Sequence, residues 1–305
     1  MQKTSLPIYL NLTVIYLVWG STFLGVRYAL EVLPPVLASS LRFLVGGSIL
    51  FFVAMAWQIL KKQPPILPTF QQTWGAVQVG ILLVGMGNTA LSYAIKFMPT
   101  GLVALLVATL PVWTVVLDFL LFSKLRPHRL TVAGLGLSMI GMGVLLNPFS
   151  GINRTDLVWF PAILVLVGAI SWAYGSLRAP HLQMPPPLQS TAIQMLAGGT
   201  FALIISAFTE IEAWQSVENM TLTTYLAMGY LIFIGSFLGY SSYNWLMHHA
   251  PPALVATYAY VNPVVAIFLG WLFLNESLSK RALIASAIIL TGVMLITLGK
   301  RYTRR

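Results

Sequence analysis

The chain has no cysteine and only 8% charged residues in 305. Without cysteine there are no disulfides, and the redox compartment cannot be read from thiols. Seven carboxylates and four histidines are too few and too scattered for a metal site. No Gly-x-x-x-x-Gly-Lys-Ser/Thr loop is present, which excludes an ATP motor in this chain. There is also no His-Glu-x-x-His, no Gly-x-Ser-x-Gly and no pair of acids within an apolar stretch. No catalytic residue, metal or cofactor is therefore expected.

Apolar sequence is abundant instead, with hydrophobic residues at 58%. Soluble domains carry about 25% charge, so the solvent for this surface is lipid. A spanning helix takes about 20 apolar residues. Ten such stretches occur, near 8–30, 36–59, 73–95, 99–122, 129–147, 157–177, 188–208, 223–247, 252–274 and 281–299. Transmembrane barrels alternate polar and apolar residues, whereas these runs are apolar on all sides. Short loops separate them, marked by Pro34-Pro35, Pro64-Pro65, Pro148, Pro185-Pro186-Pro187 and Pro251-Pro252. The first stretch lacks a small-residue cleavage site and reads as a retained helix.

The net charge of +10 does not point to nucleic acid, because the basic residues segregate. With the amino terminus inside, Lys3, Lys61, Lys62, Lys124, Arg126, Arg129, Arg178, Lys300, Arg301, Arg304 and Arg305 fall on the inner side. Lys96, Arg154, Lys280 and Arg281 fall outside, with Glu31, Asp156, Glu210, Glu212, Glu218 and Glu276. This is the positive-inside bias; the surplus reports topology and contact with anionic lipid.

The chain repeats itself at an offset of 152 residues. Arg42-Phe43-Leu44-Val45-Gly46-Gly47 returns as Gln194-Met195-Leu196-Ala197-Gly198-Gly199, Pro99-Thr100-Gly101-Leu102-Val103-Ala104 as Pro251-Pro252-Ala253-Leu254-Val255-Ala256, and Pro111 as Pro263. Trp19-Gly20-Ser21 faces Ser171-Trp172-Ala173 within one residue of that offset. The units run over 8–147 and 157–299. Five spans per unit is an odd number, so the second unit is expected upside down, related to the first by a pseudo-two-fold axis in the membrane plane. The expected fold is an all-α membrane protein of ten transmembrane helices in two inverted five-helix repeats. Repeats of this kind place a solute site at their seam and support one state open to each side.

The segments Trp19-Gly20-Ser21-Thr22-Phe23, Leu41-Arg42-Phe43-Leu44 and Tyr258-Ala259-Tyr260-Val261-Asn262-Pro263-Val264-Val265-Ala266, then Leu269-Gly270 and Asn275-Glu276-Ser277-Leu278, resemble the EamA family of the drug/metabolite transporter superfamily. Ser171-Trp172-Ala173-Tyr174-Gly175-Ser176 resembles an exporter branch of it. The likeness covers about residues 10–298. It implies two inverted five-helix repeats, both termini cytoplasmic, and outward transport of small organic solutes through a cavity lined by spans three, four, eight and nine, with the first and sixth contributing. One departure is that Ser123-Lys124 stands where the second repeat has Asn275-Glu276.

Candidate solute-binding residues are Tyr258 and Asn262 before Pro263, Tyr240, Tyr243 and Asn244 of the eighth span, Asn88, Ser92 and Tyr93 at the corresponding part of the third, and Trp19 and Trp172 at matching places in the two first spans. Such walls suit amphipathic metabolites; interfacial or packing aromatics are the alternative. Pro111 and Pro263 free the carbonyls of Val107 and Ala259, for gating or as static kinks. Arg42 has two readings: holding a substrate carboxylate or gate, or holding Glu31 or helix-end carbonyls. Asp118 likewise reads as a proton carrier or as a plain ion pair with Lys124 and Arg126. Glycines 46, 47, 80, 85, 87, 134, 136, 141, 143, 198 and 199 permit close helix contact. The expected protein is a monomeric exporter of a small organic solute in the bacterial plasma membrane, with lipid and no nucleic acid as partner. A lipid flippase and an intramembrane enzyme are the other readings, and the enzyme lacks acid/base groups.

Overall fold

The computed structural model describes residues 6–60, 67–146, 159–250, 255, 257–276 and 280–300. The expectations placed on Lys3, Lys61, Lys62, Arg154, Asp156, Arg301, Arg304, Arg305, Pro64-Pro65, Pro148 and Pro251-Pro252 lie outside the described residues, as do the side chains of Asn244, Tyr260 and Lys300.

Among the described residues the chain is helical and has no strand. Lipid offers no hydrogen-bond partner to a backbone group, so helices that satisfy themselves internally are the form such a sequence takes. The helices are α1 (Leu6–Ala29), α2 (Pro35–Leu60), α3 (Phe70–Phe97), α4 (Thr100–Phe122) and α5 (Arg129–Leu146) in the first half. The second half has α6 (Trp159–Arg178), α7 (Pro187–Thr209), α8 (Leu222–His249), α9 (Tyr258–Leu274) and α10 (Lys280–Lys300). Seven of them, α1 to α4 and α6 to α8, are long and apolar enough to cross a membrane, and α5, α9 and α10 contain shorter apolar stretches.

Two pairs of like helices, α2 with α7 and α5 with α10, pack against one another, antiparallel. Along α2 and α7, Met55 meets Gln189, and Val36 and Leu37 meet Glu210 at the other end. Between them, Gly47 lies against Leu196 and Gly199 against Leu44, so close that an added Cβ would come within about 3 Å. Each contact is the mirror of the other: Leu44 and Leu196 occupy one repeat position, Gly47 and Gly199 another. The paired glycines are what let these backbones approach. The α5–α10 pair follows the same rule, Gly134 meeting Gly292 and Gly141 meeting Ile289. Gly136 and Gly143 point the other way and meet nothing within 4 Å.

Three features were not expected. Both third-position helices widen into π-helix at matching places, Ile81–Asn88 in α3 and Tyr230–Leu238 in α8. The connection between α7 and α8 is itself a 3-10 helix, Ile211–Asn219. Finally, Pro111 and Pro263 are not equivalent. The first half of α4 ends at Val107, Ala108 and Thr109 form a turn, and Pro111 sits in the first turn of the resumed helix. There its missing N–H costs little, so the expected mid-helix kink is corrected to a helix start after a turn. Pro263 stands inside α9.

Candidate functional site

A cavity opens where the two halves meet. Its wall takes side chains from α1, α2, α3, α4, α6, α8 and α9. Of the expected residues it contains Trp19, Arg42, Asn88, Trp172, Tyr240, Tyr258, Asn262 and Pro263. Val107 and Ala259, the residues whose carbonyls the prolines were expected to free, also face it.

The aromatic wall is one connected cluster. Trp19 lies edge-on to Tyr240 and Tyr258, with ring centres 5.4 and 5.2 Å apart, and Trp172 stacks on Tyr240 at 6.4 Å. Edge and offset-stacked geometries are the favourable ones for such rings. Each tryptophan is seated by a glycine of the opposite half. A Cβ on Gly239 would stand 2.5 Å from the Trp19 indole nitrogen, and one on Gly87 would stand 2.9 Å from the Trp172 ring. Gly87 and Gly239 occupy the same repeat position, so the arrangement is reciprocal: each half supplies a tryptophan and receives the other's.

The amides are fixed by hydrogen bonds. Asn88, which ends the π-helical stretch of α3, donates to the Tyr240 hydroxyl at 3.1 Å. Asn262 is buried and, with its nitrogen turned toward them, donates to the carbonyls of Tyr16 on α1 and Tyr258 on α9, at 3.3 and 3.2 Å. Gly20 lets α1 come this close to α9, because its Cβ position is 2.6 Å from Val265.

Other expected residues sit elsewhere. Ser92 is buried outside the cavity wall. Tyr93 packs on Phe97 and Phe160 and does not reach the cavity. Tyr243 is a backing residue: it supports Trp19 at 5.1 Å and Tyr258 at 6.0 Å from outside the wall. Pro111 follows the wall residue Leu110 directly but is not itself in the wall.

The charged candidates also differ from expectation. Arg42 holds neither Glu31 nor helix-end carbonyls: its Nε donates to Ser236 Oγ at 2.9 Å. Its guanidinium carbon lies 4.7 Å from the centre of the Phe43 ring. Asp118 accepts from the Ser123 hydroxyl at 2.9 Å and makes no ion pair with Lys124 or Arg126 among the described residues. A neighbouring hydroxyl on the same helix turn satisfies it first.

Two carboxylates were missed as functional pieces. Glu276 accepts from the Thr100 backbone and hydroxyl at 2.9 and 2.8 Å and from Gly101 at 3.5 Å. Glu210 accepts from the backbone of Val36 and Leu37 at 3.2 and 2.9 Å. Each satisfies the open N–H groups at the start of a helix of the other half, where negative charge is also favoured by the helix dipole. Capping between elements distant in sequence leaves no local signal. Gly239 could have been found, since its counterpart Gly87 was already noted.

Two like units packed antiparallel about a partly aromatic cavity, in a chain of apolar helices, make a membrane transport protein. Comparison with known proteins agrees, and the chain belongs to the EamA-like transporter family, whose family model matches it twice, over residues 6–147 and 159–298. It is 36% identical over 301 residues to the "Uncharacterized inner membrane transporter YedA" of Escherichia coli K12, covering 97% of this chain and 92% of that one. It is 29% identical to the "Probable amino-acid metabolite efflux pump" of Salmonella typhimurium LT2, covering 95% and 94%. A crystal structure of a protein at 20% identity shares the fold, with a TM-score of 0.64 over 97% of this chain and 99% of that one.

Proposed function

We propose that the protein is a secondary transporter that exports small organic metabolites across the bacterial inner membrane by alternating access. In this reading ten spans form two inverted repeats, near 8–147 and 157–299, with both termini cytoplasmic and one chain sufficient for transport. The observation that carries it is the seam cavity with its reciprocal glycine–tryptophan seats. Two near-equivalent halves that exchange equivalent contacts have two near-equivalent arrangements, one open to each side. The inner membrane and the outward direction are taken from the transporter and the efflux pump to which the chain is similar.

Trp19, Trp172, Tyr240 and Tyr258 form the solute's apolar walls in this account; Asn88 and Asn262 fix its polar edge. Tyr243 holds Trp19 and Tyr258 in place. The turn at Ala108-Thr109 and the proline in α9 are the points about which α4 and α9 bend. Asp118, bonded to Ser123, is not needed for coupling.

Flux from proteoliposomes loaded with several solute classes, with and without a pH gradient, tests this. Asn262→Ala and Trp19→Ala are expected to lower flux while the protein still purifies as a folded species. Unchanged flux in both removes the site. Product formation without flux favours an intramembrane enzyme, and movement of lipid alone favours a flippase.

A further inference from the structure

Arg42 is the one charged side chain in the cavity wall, and it is only 5% exposed. Ser236 occupies its Nε, while Nη1 and Nη2 make no hydrogen bond to the described protein. A cation removed from water is costly unless something neutralises it, yet none of the described carboxylates does so. Glu210 and Glu276 are committed to helix starts and Asp118 to Ser123. Glu31 is exposed, and Glu212 and Glu218 lie on the 3-10 segment that follows α7.

The mirror position does not balance this charge. Gln194, the counterpart of Arg42, lies outside the cavity wall and donates its amide to Ser190 Oγ at 3.0 Å. The neutral polar groups are also largely spoken for, since Asn88 is bonded to Tyr240, and Asn262 to the carbonyls of Tyr16 and Tyr258. What the cavity offers a solute is thus a fixed positive charge beside an aromatic cage, with no matching acid for an ammonium group.

We propose that the site selects small organic anions, a carboxylate head on an apolar or aromatic body, with Arg42 as the residue that binds the head. This rests on the transport reading and adds the charge of the solute to it. The two free guanidinium nitrogens suit the two oxygens of a carboxylate. The solute itself supplies the missing counter-charge, so an occupied cavity is electrically closed and an empty one is not.

The test is a ladder of four compounds sharing one ring: 3-phenylpropionate, 3-phenylpropanamide, phenylalanine and phenethylamine, titrated into the purified full chain by calorimetry. 3-Phenylpropionate is expected to bind roughly ten-fold tighter than the neutral amide, in line with a charge-assisted hydrogen bond. Phenylalanine, whose ammonium meets no acid, is expected to bind more weakly than the acid, and phenethylamine weakest of all. Arg42→Gln, which installs the residue of the other repeat, is expected to erase the preference, and Arg42→Lys to keep the order with reduced affinity. If Arg42→Gln does not fold, the wild-type ladder decides alone. Equal affinities, a reversed order, persistence of the preference in Arg42→Gln, or failure of all four to bind each overturns the proposal. Flux of the amide or the amine without flux of the acid, measured in liposomes, sinks charge selection while leaving transport standing.

Discussion

Asn88 donates a 3.1 Å hydrogen bond to Tyr240, and the two residues are 152 positions apart, the repeat offset itself. In a two-fold arrangement a residue meets its own counterpart only at the axis, as in an isologous interface. This bond therefore marks where the pseudo-axis passes through the cavity. It also shows that the symmetry is broken at its centre, with an amide from one half and a phenol from the other.

Removing the phenol hydroxyl while keeping the ring isolates that bond. Tyr240→Phe, Asn88→Ala and the double variant, compared by thermal unfolding in detergent, are expected to give a coupling of about 0.5–1.5 kcal/mol. A coupling of zero means the contact at the axis contributes nothing to stability.

The tryptophan seats make a second prediction. Gly87→Ala and Gly239→Ala each force a methyl into an indole, which costs about 1–3 kcal/mol in a packed interior, and each is expected to weaken solute binding by moving a wall. Gly136→Ala is the control, since nothing lies within 4 Å of its Cβ position. If all three variants melt and bind alike, the glycines are not seats.

Glu276 joins the end of α9 to the start of α4, and its repeat counterpart is Lys124, which has no acceptor to offer. A carboxylate latch is therefore not repeated at that position. Glu276→Ala is expected to cost about 1–2 kcal/mol, the range for a lost helix cap. A cysteine placed at Met98, 2% exposed, should then react faster with a water-soluble maleimide. The chain has no native cysteine, so the label reports that site alone. Unchanged reactivity rules out a closing role for this contact.

Orientation is checked with the same chemistry. Phe97 and His249 occupy one repeat position, and both are exposed. In intact cells an impermeant maleimide is expected to label Phe97→Cys from outside, and His249→Cys only after the membrane is opened. Labelling of both from one side defeats the inverted arrangement.

Much of this was legible in the sequence because lipid imposes one rule on every span, and the 152-residue offset is a property of the string. The wall residues Trp19, Trp172, Tyr240, Tyr258 and Asn262 were legible for a related reason. Tyr258 and Asn262 stand beside Pro263, and Trp19 and Trp172 fall at matching places in the two repeats, so each carries a mark in the string itself. Three-dimensional placement decided the remainder. Ser92 and Tyr93 differ from Asn88 by four and five residues, and only the packing of α3 reveals that Asn88 meets the cavity while Ser92 is buried away from it and Tyr93 packs on Phe160 of α6. The π-helical stretches change that facing again, since they add residues to a turn without any mark in composition.

Sequence alone therefore determined that this is a duplicated, lipid-embedded helical chain, because composition and repetition survive without coordinates. The tertiary structure decided that Arg42 hydrogen-bonds Ser236 and no carboxylate among the described residues, that Glu210 and Glu276 cap helices of the opposite half, and that Gly239 seats Trp19. These are contacts between residues far apart in the chain, and no local pattern encodes them.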